Sequence, residues 1–284
     1  MNTTVKKAYA KMNLFLSVGE LFSNGKHRVE TVLQKLRLHD TVTVRLTEKN
    51  GISVSSDSKE IPCDRENLAY IAAERYYNTA GLPGGAEIFI EKRIPVRAGL
   101  GGGSSDAAAV LTALEENHSA IGFDGILSIA TELGVDVPFF LYDDPTMIGT
   151  EDGSVLKEFP APECQISCVL VKIGAKESTG SVYAKLDRIR NTKHTCESAG
   201  KLSEAILSGN PGKIIAQTSN DFEICYEEFS YVKENLMRAG CDGVLLCGSG
   251  PTVCGLCVGQ KKAEAVKAAV LMPATVSEFV RKIT

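Results

Sequence analysis

In KKAYAKMNLFLSV, near the start of the chain, a lysine and an amide alternate within an apolar segment, the combination an enclosed polar site requires. The two-residue period of a strand puts Tyr9, Lys11, Asn13 and Phe15 on one face and Ala10, Met12, Leu14, Leu16 and Val18 on the other. An edge strand with a snorkelling lysine is the plainer reading of any single Lys. Asn13 and the flanking aromatics favour the enclosed site.

The second group is IPVRAGLGGGSSDAAAVL, residues 94–111. Gly99, Gly101, Gly102 and Gly103 have no Cβ, so the backbone can bend sharply and close its N–H groups on an anion. A helix follows, with Ser104 or Ser105 as its expected cap and Ala107, Val110, Leu111 and Leu114 as an apolar stripe. Its free N–H groups and positive dipole end attract oligophosphate. A flexible connecting turn is the alternative, but consecutive glycines carry an entropic cost that a connector need not bear. No GxxxxGK[ST] occurs, nor does GxGxxG with an acidic residue about 20 positions on, which removes the P-loop and Rossmann readings.

Two further pieces complete the chemistry. LGVDVPFFLY places Asp136 after a helix end in apolar surroundings, where an unpartnered carboxylate is costly; an ordinary turn aspartate is the alternative. CGSGPTVCG, residues 247–255, is a tight glycine turn between apolar strands, either a simple hairpin or a second place where backbone approaches a ligand. A proton acceptor, an ammonium and a phosphate cradle are what phosphoryl transfer to an alcohol requires.

The elements that carry these groups follow from periodicity and punctuation. Strands are expected at 4–18, 28–46 (one or two) and 86–91, and helices at 67–80, 105–118 and 124–133, the last ended by Gly134 and Pro138. Turn-rich residues 143–154 read as the seam. A second unit then begins with a strand at 166–173 and continues through helices, a strand pair at 244–258, another helix and a final strand, an α+β arrangement with helices on one face of an antiparallel sheet.

At 284 residues, 44% hydrophobic and 23% charged, the chain has room for two domains without staples. A net charge of −4 argues against nucleic acid as a bulk partner. Its apolar runs are too short to span a bilayer and no signal peptide is evident, so a cytoplasmic protein with no membrane partner is expected. The odd count of nine cysteines fits reduced thiols. Cys254 and Cys257 spell CxxC, but in a strand they point to opposite faces, so buried strand cysteines are expected there, and likewise at Cys164 and Cys168.

AKMNLFL, GKH with DTVTV after it, ENL at 66–68, KRIPVRAGLGGGSSDAAA, LGVDVPFF, STGSVY and GSGPTV, in that order, resemble the GHMP kinase superfamily, whose phosphate loop is similar to PxxxGLGxSSxxA. The resemblance spans nearly the whole chain. It implies an α+β, two-domain ATP-dependent kinase that uses Mg2+. Residues 1–155 would form a ribosomal protein S5 domain 2-like, ATP-binding domain, and 156–284 a ferredoxin-like, substrate-binding domain. The substrate would be a small molecule, a cytidine diphosphate-linked polyol, and the protein a monomer or homodimer.

Residue roles follow from the same resemblance. Asp136 falls on the aspartate that takes or orients the proton of the attacking hydroxyl, and Lys11 on the lysine that stabilises charge there. Gly99, Gly101, Gly102, Gly103, Ser104 and Ser105 would bind ATP phosphates, Ser105 next to the metal ion, with Asn67 and Lys92 near the adenosine. Asn13 would hold the polyol, His27 would hydrogen-bond cytosine, and Tyr183 would stack on it. Thr179, Gly248, Ser249 and Gly250 would complete the substrate site. One departure stands out: where the family usually shows GYH, with a tyrosine on the other side of the base, this chain has Lys26. A GHMP kinase acting on a smaller metabolite is the alternative that Lys26 keeps open. A non-catalytic nucleotide- or RNA-binding module is a second, opposed by the acidic charge.

Overall fold

The structure is a computed structural model that describes residues 2–174, 178–190 and 196–283. It divides into two compact units, and no single point of the chain separates them. The first takes Met1–Ala10, Leu38–Val96 and Gly101–Asp143; the second takes Lys11–Arg37, Arg97–Leu100 and Asp144–Thr284. A division at 155/156 therefore differs from the observed one: the segment bearing Lys11 and Asn13 belongs with the C-terminal residues. The long strands β1 (Thr3–Leu21) and β2 (His27–Thr47) each contribute to both units.

In the first unit, β3 (Gly51–Ser56) runs parallel to β4 (Gly85–Glu91), and β4 pairs antiparallel with Thr41–Thr47 of β2. Helices α1 (Leu68–Ala80), α2 (Gly102–His118) and α3 (Gly122–Leu133) complete it. Val42, Val44, Ile88 and Ile90 from the strands form one core with Ala69, Ala72, Ala73 and Tyr76 of α1 and with Ala107–Leu111, Ala113 and Leu114 of α2. Alanine is what lets α2 sit so deeply, because its small side chains admit close neighbours at little entropic cost. Ser104 and Ser105 do not cap this helix. Gly101, left-handed at φ 74°, is the N-cap, and both serines lie inside the first turn. The glycine reverses the chain one turn earlier than a serine cap would.

The second unit opens with a hairpin, β5 (Thr146–Thr150) and β6 (Val155–Glu158), whose first strand pairs with Thr31–Gln34 of β2. Residues 143–154, read as the seam, hold the boundary between Asp143 and Asp144 and also contain paired strand. Next come β7 (Ile166–Lys172), α4 (Thr179–Arg190), α5 (Gly200–Leu207), α6 (Pro211–Ala216), β8 (Ser219–Asn220), α7 (Glu227–Arg238), β9 (Gly243–Cys247), β10 (Thr252–Val258), α8 (Gln260–Ala269) and β11 (Thr275–Glu278). The sheet order is β11-β7-β10-β9, with every neighbour antiparallel. With β7, β9, β10 and β11 taken as strands one to four, this is order 4-1-3-2, the split β-α-β of ferredoxin-like folds. Leu236 and Val232 of α7 and Ala263 and Val266 of α8 share its core with Val169, Leu246 and Val253.

All nine cysteines are free thiols. Cys168, Cys254 and Cys257 are buried on strands as expected, whereas Cys164 is only half-buried, because it precedes β7.

Candidate active site

The first glycine turn is shaped by what its glycines admit. A Cβ on Gly102 would lie 3.2 Å from Cγ2 of Ile94 and 3.4 Å from Nζ of Lys92, so the helix start rests closely on the segment after β4. Gly103 is exposed, Ser104 half-buried and Ser105 buried. The Ser105 N–H donates to the Gly101 carbonyl at 2.9 Å, closing the first helical turn. No side chain caps α2, which leaves its first N–H groups for water or an anion.

Beneath this turn is a buried charge cluster. Lys92, whose side chain is 6% exposed, donates through Nζ to Asp40 Oδ2 and, at 2.8 Å, to Asp106 Oδ2. Asp40 also accepts from the backbone N–H groups of Arg93 and Ile94, fixing the chain between β4 and the glycines. Burial works against the Lys92 ammonium, but Asp106 and Asp40 outweigh it and raise its pKa. Burial raises the Asp106 carboxyl to about 7, with Lys92 opposing and Asp40 adding to the shift. Asp106 Oδ1 is buried without a hydrogen-bond partner. Lys92 is therefore a clamp under the first glycine turn, with its ammonium engaged by two carboxylates.

Asn67 has a structural task of its own as N-cap of α1. Its Oδ1 accepts from the Ala69 N–H at 2.9 Å and its Nδ2 donates to the Pro62 carbonyl at 2.6 Å. Asp136 lies, half-buried, in the turn between α3 and the short helix Pro138–Leu141, where the Val137 N–H bonds the Gly134 carbonyl at 3.1 Å.

In the second unit β1 is flanked by both β2 and β8, and Lys11 and Asn13 are each 5% exposed, so the edge-strand alternative fails. Lys11 Nζ donates to Asn13 Oδ1 at 3.0 Å; Asn13 Nδ2 donates to Thr31 Oγ1 at 2.7 Å, and that hydroxyl donates to the Phe15 carbonyl at 2.7 Å. This relay sets the amide's orientation and with it the ammonium's position. The Lys11 backbone N–H donates to the Leu100 carbonyl at 2.9 Å, which brings the start of the first glycine turn to the lysine.

The second glycine turn converges on the same place. A Cβ on Gly248 would stand 2.9 Å from the Gly99 carbonyl and 3.5 Å from both Asn13 Oδ1 and Lys11 Nζ. Gly99, at φ +77°, would place its Cβ 2.4 Å from the Cys247 carbonyl and 2.6 Å from that of Gly250. Only glycine allows this approach of two main chains. Two residues that periodicity does not reveal brace the turn: Asn220 Nδ2 donates to the carbonyls of Leu246 and Gly248, and the Tyr226 hydroxyl donates to that of Ser249 at 2.5 Å. Tyr226 also fills the space a Cβ on Gly250 would need.

His27 and Tyr183 are stacked, with ring centroids 5.2 Å apart and planes at 22°. His27 Nδ1 donates to the Gly19 carbonyl at 2.9 Å, and Nε2 lies 3.2 Å from Asp187 Oδ2. Thr179 begins α4 and is exposed. Lys26 turns to the β5–β6 hairpin, its Nζ 2.6 Å from Asp152 Oδ2. Among the described residues no group of three His, Cys, Asp or Glu side chains could hold a metal ion, and no helix is long and apolar enough to cross a membrane.

Residues 67–144 match the GHMP kinases N terminal domain, and residues 202–272 match the GHMP kinases C terminal domain. The chain belongs to the GHMP kinase family, and its two-domain fold is that family's. Within the family it is similar to 4-diphosphocytidyl-2-C-methyl-D-erythritol kinase of Pelotomaculum thermopropionicum, 39% identical over 267 residues covering 92% of this chain and 91% of the relative. The enzyme of that name from Caldicellulosiruptor bescii is 34% identical over 283 residues, covering 98% and 97%. A crystal structure of 4-(cytidine 5'-diphospho)-2C-methyl-D-erythritol kinase superposes with a TM-score of 0.83 at 32% identity, covering 97% of this chain and 99% of that one.

Proposed function

We propose that this chain transfers the γ-phosphate of ATP to the 2-hydroxyl of 4-diphosphocytidyl-2-C-methyl-D-erythritol, a step in making isoprenoid precursors. The observation that carries this reading is the Lys11–Asn13 pair, a buried ammonium oriented by an amide directly under the Gly248 turn. Similarity to relatives of that activity along nearly the whole chain supports it.

Each group has a physical task. Asp136 takes or orients the proton of the attacking hydroxyl, and Lys11 offsets the charge that develops on that oxygen. Asn13 holds the polyol as well as the lysine. The N–H groups at the start of α2, with Ser104 and Ser105, bind the ATP phosphates, and the Gly248–Gly250 turn lies against the transferring group. Asn67 and Lys92 support the nucleotide site from behind, by capping α1 and clamping the phosphate turn. Mg2+ fits the donor set: it keeps several waters and binds chiefly through phosphates, so it needs no protein cage, and the serine hydroxyls at the turn are suitable neighbours. When bound, it neutralises phosphate charge.

The test is turnover of purified protein with ATP and Mg2+, offered the cytidine-containing alcohol and cytidine-free polyols, with ADP release and 31P NMR as readouts. Phosphorylation of the cytidine alcohol at its 2-hydroxyl supports the reading; turnover of a smaller polyol alone shifts it to another GHMP-type kinase. Asp136→Asn is expected to bind ATP nearly as well as wild type while turnover falls roughly 10²–10⁴-fold. Undiminished turnover removes Asp136 from the mechanism.

A further inference from the structure

The hydrogen-bond relay that ends on Lys11 has one permitted direction, and Thr31 sets it. At one end the Phe15 carbonyl only accepts, and at the other the Lys11 ammonium only donates. Thr31 Oγ1 stands 2.7 Å from both the Phe15 carbonyl oxygen and Asn13 Nδ2. A hydroxyl has a single proton and the carbonyl takes it, so Asn13 can approach Thr31 only through an N–H and must turn Oδ1 to the ammonium. Donation to Phe15 would by itself satisfy the buried hydroxyl; the second bond serves Asn13. The fold holds Thr31 in place for this. Its ladder partner on β5 is Gly149, where a Cβ would lie 2.9 Å from Thr31 Cγ2, so the glycine makes room for the threonine methyl. Phe15 pairs with Ser219 of β8, and the next rung joins Leu16 to Asn220, the residue that braces the Gly248 turn. The anchor of the relay and the brace of the turn thus share one two-rung ladder.

We infer that Thr31 is a positioning residue for phosphoryl transfer: its hydroxyl locks the polarity of the Asn13 amide, so that an acceptor and never a donor faces Lys11. The role rests on the kinase reading proposed above, in which Lys11 offsets charge on the attacking oxygen. Thr31 acts through Asn13 and Lys11 rather than on the reacting atoms. Without the hydroxyl the amide can rotate, and an N–H turned to the ammonium repels it. A charge-stabilising group displaced by about 1 Å costs on the order of 10²-fold in rate.

The experiment measures kcat and KM with ATP and the cytidine diphosphate-linked alcohol in wild type, Thr31→Val, Thr31→Ser and Gly149→Ala, each checked for folding by its urea midpoint. Thr31→Val keeps the β-branch and loses the hydroxyl; its kcat is expected to fall about 10–100-fold with little change in KM for ATP. Thr31→Ser keeps the hydroxyl and should hold kcat near the wild-type value. Gly149→Ala presses on the Thr31 methyl and should lower kcat, and adding Thr31→Ser, which has no methyl, should restore it. In an Asn13→Ala background Thr31→Val is expected to lower kcat by less than about 2-fold, because the amide it orients is gone, whereas a purely structural threonine would show its full effect there. An equal fall in both backgrounds, or no fall in folded Thr31→Val, overturns the inference; if Thr31→Val does not fold, Thr31→Ala takes its place. If wild type does not phosphorylate the alcohol, the kinase reading fails instead, and the side-chain 15N resonance of Asn13, assigned by its loss in Asn13→Ala, decides the role of Thr31. That resonance should move in Thr31→Val and stay in place in Thr31→Ser, and an unmoved resonance in Thr31→Val rejects the lock.

Discussion

Lys11 and Lys92 both bury their ammonium groups; the contacts of the first include the Asn13 amide, and those of the second are the carboxylates of Asp40 and Asp106. Two carboxylates absorb the charge and turn the lysine into a structural tie. With Lys11 in the chemical role proposed above and Lys92 as a tie, the two positions are expected to fail in different ways.

The largest effect is expected at the tie. Lys92→Met leaves Asp40 and Asp106 buried without their cation and should cost about 3–5 kcal/mol of unfolding free energy by urea titration. A loss under about 1 kcal/mol would mean that the cluster behaves like a surface pair. Lys11→Met is expected to lower kcat roughly 10²–10³-fold with a much smaller change in the unfolding midpoint. If it instead unfolds as readily as Lys92→Met, the contrast between the two lysines is lost.

The smallest effect sharpens the cluster itself. Because the Asp106 carboxyl is raised from its ordinary 3.8 to about 7, the folded state binds more protons than the unfolded state across that window. Stability attributable to this group therefore falls as pH rises from about 4 to about 7 and is level beyond it. Asp106→Asn cannot titrate, so the variant should lose this decline. Melting temperatures from pH 5 to 8 that run parallel in wild type and variant would remove Asp106 as its source.

What could be read from residues alone was local. Alternation placed Lys11 and Asn13 on one face, and their hydrogen bond follows from that spacing. The apolar period located α1 and α2 to within a few residues; α1 buries one core-facing stripe, whereas α2 is buried all round from Ser105 to Leu111. Gly51–Ser56 escaped notice as a strand: six residues with little apolar content form β3 only because β4 supplies a partner. The hairpin of β5 and β6 was masked by the turn residues that bracket it. Partners far apart in sequence were invisible. Lys92 is 52 residues from Asp40, and His27 is 160 from Asp187, and only the fold makes them neighbours.

The cysteines give the molecule an unplanned property. Cys63 alone lies in the first unit, and it is exposed; the other eight fall in the second, where Cys168, Cys225, Cys241, Cys247, Cys254 and Cys257 are shielded from solvent. A thiol-specific alkylating reagent followed by mass spectrometry would therefore tag the native protein sparsely and add mass when the second unit opens. That unit comes with its own set of built-in unfolding reporters, and no label need be engineered to time its opening.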